Sequence, residues 1–429
     1  MTAASSARPR APRRVLLVAF HFPPLSGSSG IQRTLSLVRH LPTFGWEPIV
    51  LSAHPRAYEK CTVDLLGEIP ASVIVERSFA LDTSRHLTIL GKYPAFLARP
   101  DRWMTWRWSA VSAGMRLIER LQPSAIWSTY PIATAHAIGA ELQRRSGLPW
   151  IADFRDPMAQ EGYPADPKTW RAFRSIEEQA ATKASALVYA TPSARDMYVA
   201  RFPQTPRERF AVIENGYDEA LFESAERSAV TRTALNPGCI TLLHSGIVYP
   251  SERDPAALFA ALARLQSGGV ISRQNFRLRF RAAVHDELLK RLAVETGTSA
   301  LIELLPAVPY REALAEMLCA DALVVMQGAN CNEQIPAKLY EYLRARRPIL
   351  GLADPNGDTA RALQAAGVDC IGKLEDAAAV ETALARLLTQ HRNGALRLPD
   401  ESAVRACSRE SRTRQLVELL EPLRGVRIS

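Results

Sequence analysis

Six cysteines among 429 residues form no C-x-x-C pair, and no histidine stands near one at metal-ligand spacing. Neither a zinc site nor a disulfide framework is indicated, and a reducing, cytoplasmic setting fits best. No stretch approaches the ~18 apolar residues that a membrane-spanning helix needs. The run Val15 to Phe20 is also too short for a signal-peptide core and reads as a strand. Neither a Walker loop nor a G-x-G-x-x-G fingerprint is present. The basic residues are dispersed and carry no DNA- or RNA-binding motif, so nucleic acid is not an expected partner. The formal charge of +9 still favours anionic partners of some kind.

What is there is ordinary globular material, 47% apolar and 23% charged, enough for two domains of about 200 residues each. Buried-type strands are expected at Val15 to Phe20, Pro48 to Leu51, Ala125 to Trp127, Trp150 to Ala152, Ala186 to Tyr189 and Ala211 to Ile213. A second cycle brings Ile240 to His244, Phe276 to Phe280, Leu301 to Leu304, Ala322 to Val325 and Pro348 to Leu350, again with helical segments between. Such alternation implies parallel sheets covered on both faces, hence an α/β fold. The expected division is a disordered basic tail (1-14), a first α/β domain (15-218), a polar linker (219-237), a second α/β domain (238-404) and a final helix from Arg405 to Leu423 within 405-429 that packs back on the first domain.

Four constellations carry chemistry. The loop Phe20-His-Phe-Pro-Pro-Leu-Ser-Gly-Ser-Ser29-Gly30-Ile-Gln-Arg33 reads as a link from the first strand to the first helix, where free backbone N–H groups can receive phosphate or a sugar hydroxyl; a plain connecting turn is the alternative. Trp150-Ile-Ala-Asp153-Phe-Arg155-Asp156-Pro157 puts polar residues at the carboxyl end of a strand, the end where open α/β sheets bind ligands. An internal pair of Arg155 with Asp153 or Asp156 would also explain them. The strand, Gly loop, helix design recurs at Leu243-His-Ser-Gly246, with Asp254 as expected N-cap, Pro255 at the first helical position and Arg253 placed to grip a diphosphate; an exposed loop arginine is the alternative. Finally, Glu333-Gln334-Ile335-Pro336 opens a helix whose stripe Ile335, Leu339, Leu343 is apolar, leaving Lys338 and Glu341 on another face, as a ligand-binding or a merely solvated pair.

Taken in order, Phe22-Pro-Pro with Gly30-Ile-Gln-Arg33, Leu41-Pro-Thr-Phe-Gly-Trp46, Asp153-Phe-Arg-Asp156, Glu214-Asn-Gly-Tyr-Asp218 and Glu333-x7-Glu341 ending in Arg347-Pro-Ile-Leu350 resemble the retaining GT-B glycosyltransferases of family 4. The resemblance implies two Rossmann-like domains facing each other across a cleft, and transfer of a sugar from a nucleotide diphosphate with retention of configuration. A nucleotide-sugar donor would meet the second domain at Gly246, Arg253, Glu333, Gln334, Ile335, Lys338 and Glu341, with Gly30 reaching it from the first. Glu333 would sit against the donor sugar and Glu341 against the ribose, while Arg253 and Lys338 neutralise the leaving diphosphate. Ser29, Asp153, Arg155 and Asp156 would lie on the acceptor side, and the catalytic set would be Glu333, Arg253, Lys338 and Arg155. No metal and no other cofactor is implied, because cationic side chains and helix dipoles take the metal's part. The chain departs from many relatives at Arg155, where they carry a histidine, and lacks their lysine shortly after Arg253.

A nucleotide-sugar epimerase of the same fold and a non-catalytic partner protein are the alternatives; retention of Glu333, Lys338 and Glu341 speaks against the second. The acceptor implied by the family is a lipid-linked or polysaccharide precursor. The segment Arg99 to Trp108, where arginines alternate with tryptophans, would suit peripheral contact with an anionic inner membrane face, unless its tryptophans belong to the core.

Overall fold

The computed structural model describes residues 13–28, 30–93, 95–228 and 233–427. The chain forms two compact units, one from residues up to 190 with 194–214 and 412 onward, the other from 191–193 and 215–411.

In the first unit β1 (Arg13–Val18), β2 (Trp46–Ala53), β3 (Ile74–Ser78), β4 (Ala125–Thr129), β5 (Trp150–Arg155), β6 (Ala186–Tyr189) and β7 (Phe210–Val212) make a parallel sheet in the order β3-β2-β1-β4-β5-β6-β7. The sheet is covered on both faces, which is why its central strands read as unbroken apolar runs. Along β1, Leu16 and Val18 enter one core and Val15 and Leu17 the opposite one. The period of two delivers alternate side chains to two helical layers.

The second unit repeats the plan with β8 (Ile240–Ser245), β9 (Phe276–Arg281), β10 (Ile302–Leu305), β11 (Ala322–Gln327), β12 (Ile349–Ala353) and β13 (Ile371–Gly372), ordered β10-β9-β8-β11-β12-β13 and again parallel. Val324 and Leu350 face one core, Leu323, Val325 and Ile349 the other. In each sheet the winding direction reverses beside the first strand, at β1/β4 and β8/β11. Loops diverge there at the carboxyl ends and leave a crevice that no connection covers.

Several expectations are corrected. Residues 1–12 of the basic tail lie outside the described residues, but Arg13 and Arg14 are the first two residues of β1, paired with Glu421 and Glu47. The stretch read as a linker opens with the helix Glu219–Ser228, which buries Phe222 and Ala225 beneath polar residues. The last helix is two, Glu401–Ala406 and Arg409–Leu420. The break holds Tyr217, whose N–H donates to the Cys407 carbonyl and whose carbonyl accepts from Arg409 N–H. From Arg412 the chain belongs to the first unit, where Leu416 and Leu420 join the core beside β1.

Of the three tryptophans from 103 to 108, Trp106 is fully buried with its indole N–H donating to Ser78 Oγ, and Trp103 is partly buried with its N–H donating to the Ala57 carbonyl. Only Trp108 is exposed. Among the described residues no helix is long and apolar enough to cross a membrane.

Candidate active site

In the first unit the crevice is lined by the loops that leave β1, β4 and β5. The helix Gly30–His40 begins there, and Ser28 Oγ accepts the Gly30 N–H at 3.2 Å. Arg33 reaches from that helix to the sheet: its Nε and Nη2 each donate at 2.8 Å to the two oxygens of Asp153, and its remaining N–H groups donate to the carbonyls of Ile213 and Glu214. Asp153 is fully buried and also accepts from Thr129 Oγ1. Its carboxylate is thus engaged by Arg33 and Thr129, not by Arg155, and it anchors the helix to β4, β5 and the exit of β7. A buried bidentate pair of this kind tolerates no loss of one partner.

Arg155 stands where β5 bulges against β6, with φ of +61°, an uncommon conformation for a side chain of that size. The bulge turns its guanidinium inward, to 8% exposure, where Nη1 donates weakly to the Tyr130 carbonyl and Nε has no partner. It packs on the Gly30 backbone: a Cβ there would lie 2.6 Å from Arg155 Nη1 and 2.8 Å from His21 Nδ1. Glycine is required by this close approach. Burial, then the Arg155 charge, lowers the His21 pKa to about 4, so the ring is neutral and shares a hydrogen bond with Ser28 Oγ. Asp156 follows in the loop with its N–H on the Phe154 carbonyl. Ser29 lies outside the described residues.

In the second unit the crevice at β8/β11 gathers cations. Gly246, at φ +119°, ends β8, and a Cβ there would lie 2.7 Å from Lys338 Nζ. Lys338 is the first residue of the helix Lys338–Ala345, two positions later than Pro336 led one to expect, because Leu339 and Tyr340 bond back three residues to Pro336 and Ala337. Its ammonium meets His244 Nε2 at 3.2 Å. His244 is fully buried and its Nδ1 faces the Val324 carbonyl at 2.9 Å. A carbonyl only accepts, so Nδ1 carries the proton and Nε2 offers its lone pair to Lys338. Burial, then the lysine charge, holds His244 well below its usual range. Burial and the neighbouring Arg253 lower Lys338 to about 7, against a smaller opposing pull from Glu341.

Arg253 follows the turn after β8. Its Nη1 donates to the Ile247 carbonyl, its Nε points at Gln327 Oε1 at 3.4 Å, and its guanidinium lies over the Tyr249 ring. The next helix starts at Ala256, one residue after Pro255, and Asp254 accepts the Ala256 N–H at 3.0 Å. Glu341 lies one turn beyond Lys338 and accepts from the Tyr310 hydroxyl at 2.5 Å, with Arg409 and Lys338 adding favourable charge. Burial outweighs these and raises its pKa.

The fold therefore brings Gly246, Arg253, Lys338 and Glu341 together, and separately Gly30, Arg155 and Asp153. The Glu333 carboxylate has no hydrogen bond or ion pair among the described residues; only its carbonyl is held, by Thr191 Oγ1 at 2.6 Å. The Gln334 carbonyl accepts from Thr359 Oγ1 at 2.9 Å, and the Ile335 side chain is core, leaving its backbone to face a ligand. His244, Gln327, Tyr310, Arg409 and Arg33 were not singled out from the sequence. His244 and Arg33 stand inside the motifs themselves; the others arrive from distant segments. Among the described residues neither Lys338 nor Arg253 has a carboxylate in hydrogen-bond contact, and positive charge is gathered beside the bare Gly246 backbone. Among the described residues no group of three His, Cys, Asp or Glu side chains comes together that could hold a metal ion.

Comparison with known proteins finds the same fold. Residues 29–216 match the model of a glycosyl transferase 4-like domain. Sucrose-phosphate synthase of Thermosynechococcus elongatus superposes with a TM-score of 0.62 at 15% identity, covering 96% of this chain and 99% of that one. HepE of Anabaena, solved in complex with UDP, gives 0.64 at 13% over 96% and 100%. The α,α-trehalose 6-phosphate synthase of Burkholderia multivorans gives 0.63 at 13% over 96% and 97%. No curated protein matches the chain in sequence. Residues 29–216 thus carry a glycosyl transferase 4-like domain, and the chain as a whole has the GT-B fold of two Rossmann-like sheets.

Proposed function

We propose that the protein moves a sugar from a nucleotide diphosphate sugar to a lipid-linked or polysaccharide-precursor acceptor, with retention of the anomeric configuration, on the cytoplasmic side of a membrane. The observation that carries the donor half is the cation pair Lys338 and Arg253 beside Gly246, neither of which has a carboxylate in hydrogen-bond contact among the described residues. A diphosphate supplies an anion. Related folds bind such ligands: HepE was solved with UDP and also with UDP and glucose.

In this reading Lys338 and Arg253 stabilise charge that grows on the leaving phosphate as the glycosidic bond lengthens. They do the work that a metal does elsewhere, so turnover should survive EDTA. Glu333 faces the donor sugar, where a carboxylate supports positive charge developing at the anomeric carbon, and the leaving phosphate takes the acceptor proton. Glu341, steadied by Tyr310, holds the ribose hydroxyls. Arg155, Asp153 and Asp156 serve the acceptor side and the Gly30 backbone reaches the donor, with Arg33 holding Asp153 in position.

A panel of UDP-, GDP- and TDP-sugars in a thermal-shift assay identifies the donor, because a ligand bound only by the folded state raises the apparent melting temperature. With that donor, Glu333→Gln should lower kcat by about 100-fold and leave KM nearly unchanged, whereas Glu341→Ala should raise the donor KM by about tenfold, since ribose contacts change little in the transition state. Wild-type kinetics in both variants would remove the assigned roles. A nucleotide-sugar epimerase is the second reading, because the UDP-GlcNAc 2-epimerase of Neisseria meningitidis shares the fold with a TM-score of 0.55 at 12% identity. Turnover of the donor to an epimer with no acceptor present would decide for it.

A further inference from the structure

Between β3 and the helix Trp106–Leu121 the chain leaves the sheet for an excursion that exposes a run of large apolar side chains. Ile89 and Lys92 exchange two backbone hydrogen bonds as an antiparallel bridge, and Leu90 and Gly91 turn the corner with φ of +50° and +75°. Two positive φ values make this a tight hairpin tip, where glycine or asparagine is the comfortable residue. Here it is a leucine, 97% exposed, beside Ile89 at 76%. Tyr93, Phe96, Phe79 and Trp108 are also substantially exposed on the same excursion. A leucine that is strained at the backbone and touches nothing with its side chain contributes little to folding.

The charges left without a counterion along it are, among the described residues, of one sign. Residues 79–108 contain two carboxylates, and both are engaged: Asp82 is buried, accepts from Ser84 N and Oγ and pairs with Arg102, while Asp101 accepts from Trp103 N and from Thr134 N and Oγ1. Of the five cations, Arg99 pairs with Asp166 and Arg102 with Glu59. Arg85, Lys92 and Arg107 have no carboxylate partner among the described residues, and Arg56 adds a guanidinium over the Phe79 ring. An apolar tip among unneutralised cations is complementary to a surface that is anionic at its headgroups and apolar just beneath them.

We propose that this excursion is a membrane-docking element, with Ile89 and Leu90 entering the interface of an anionic bilayer while Lys92, Arg85 and Arg107 meet its phosphates. It deepens the reading of a lipid-linked acceptor and takes its purpose from that reading, yet its test needs neither donor nor acceptor. The site is centred on the Ile89 to Lys92 hairpin and takes only Arg107 from the Arg99 to Trp108 stretch, whose Trp103 and Trp106 are committed to the interior.

The experiment is co-sedimentation of the full-length protein with vesicles of phosphatidylcholine alone and of phosphatidylcholine mixed with phosphatidylglycerol. The wild type should bind the mixed vesicles and lose binding with salt, each cation being worth roughly fivefold in partition. Ile89→Ser with Leu90→Asn, which suits the left-handed turn, should weaken binding by about tenfold or more. Lys92→Glu should weaken it only on the mixed vesicles. Leu90→Trp should shift its fluorescence to the blue when anionic vesicles are added. Unchanged melting temperatures of the variants keep misfolding out of the comparison. Equal and negligible binding to both vesicles would overturn the proposal. So would a wild-type dimer in vesicle-free solution that Ile89→Ser with Leu90→Asn converts to monomer, since the tip would then be a contact between copies.

Discussion

Lys338 makes a residue-scale prediction that separates ligand binding from mere burial. In the free protein its pKa is about 7, so at pH 8 most molecules carry a neutral amine beside Arg253. A bound diphosphate adds negative charge at Nζ and restores the ammonium, so binding must take up protons from solution. Calorimetric titration with UDP at pH 8, in two buffers of different ionisation enthalpy, should give different apparent heats for the wild type and equal heats for Lys338→Met. Equal heats in both would place the lysine outside the diphosphate site. The same shift has a stability consequence. Between pH 7 and about 10 the unfolded lysine binds a proton that the folded one does not, so this group's share of stability rises with pH across that window. Tyr310 is a second case: Tyr310→Phe takes the hydroxyl donor from a partly buried carboxylate and should cost about 0.5–1.5 kcal/mol, with a several-fold rise in donor KM. An unchanged KM would free Glu341 of the ribose role.

At the scale of elements, the helix Gly30–His40 is fixed to its sheet by one side chain. Arg33 ties Asp153 of β5 and the carbonyls of Ile213 and Glu214 after β7 to the same guanidinium. Asp153→Asn leaves that charge buried without a counterion and should cost about 3–5 kcal/mol in urea unfolding, while Arg33→Met with Asp153→Leu should cost distinctly less. Additive single-mutant costs would show the pair to be idle. This anchor explains what the sequence could and could not reveal. Strands such as β1, β4 and β11 are legible because burial on both faces demands unbroken apolar runs. Ile74–Ser78 and Ile371–Gly372 lie at sheet edges, with one neighbour each and little side-chain burial, so their composition carries no such demand. Glu219–Ser228 escaped because its apolar face is only Phe222 and Ala225 with a half-buried Leu221, and Arg344 covers Phe222 from outside. Motif residues such as Gly246, Arg253, Lys338 and Glu341 could be grouped by resemblance, whereas Tyr310 and Arg409 reach Glu341 through folding alone. The partner of Asp153 is hidden for the same reason: Arg33 lies 120 positions away.

Across the whole molecule, three histidines with lowered pKa values, two fully buried and one partly buried, contribute to the response to acid. His21 and His136 in the first unit have their pKa lowered to about 4, chiefly by burial, and His244 in the second is lowered further. Each must stay neutral in the folded state, while its unfolded counterpart takes a proton near pH 6.5. Between pH 6.5 and 4 the unfolded chain therefore binds more protons, and stability falls as pH falls. Glu341 and Asp101 work in the opposite direction, because burial raises their carboxyl pKa values. His136 is the cleanest probe. It is fully buried, shares a hydrogen bond with Ser128 Oγ through Nδ1, leaves Nε2 unpartnered and belongs to no proposed ligand site. Keeping it neutral at pH 5, where its unfolded counterpart is protonated, costs about 2 kcal/mol of stability by the linkage between pKa and folding. His136→Gln removes that titration, so its urea midpoint should drop less than the wild type's between pH 7 and pH 5, even if it starts lower at pH 7. Identical drops would mean that His136 accepts its proton inside the folded unit, and the acid response would then have to come from His21 and His244.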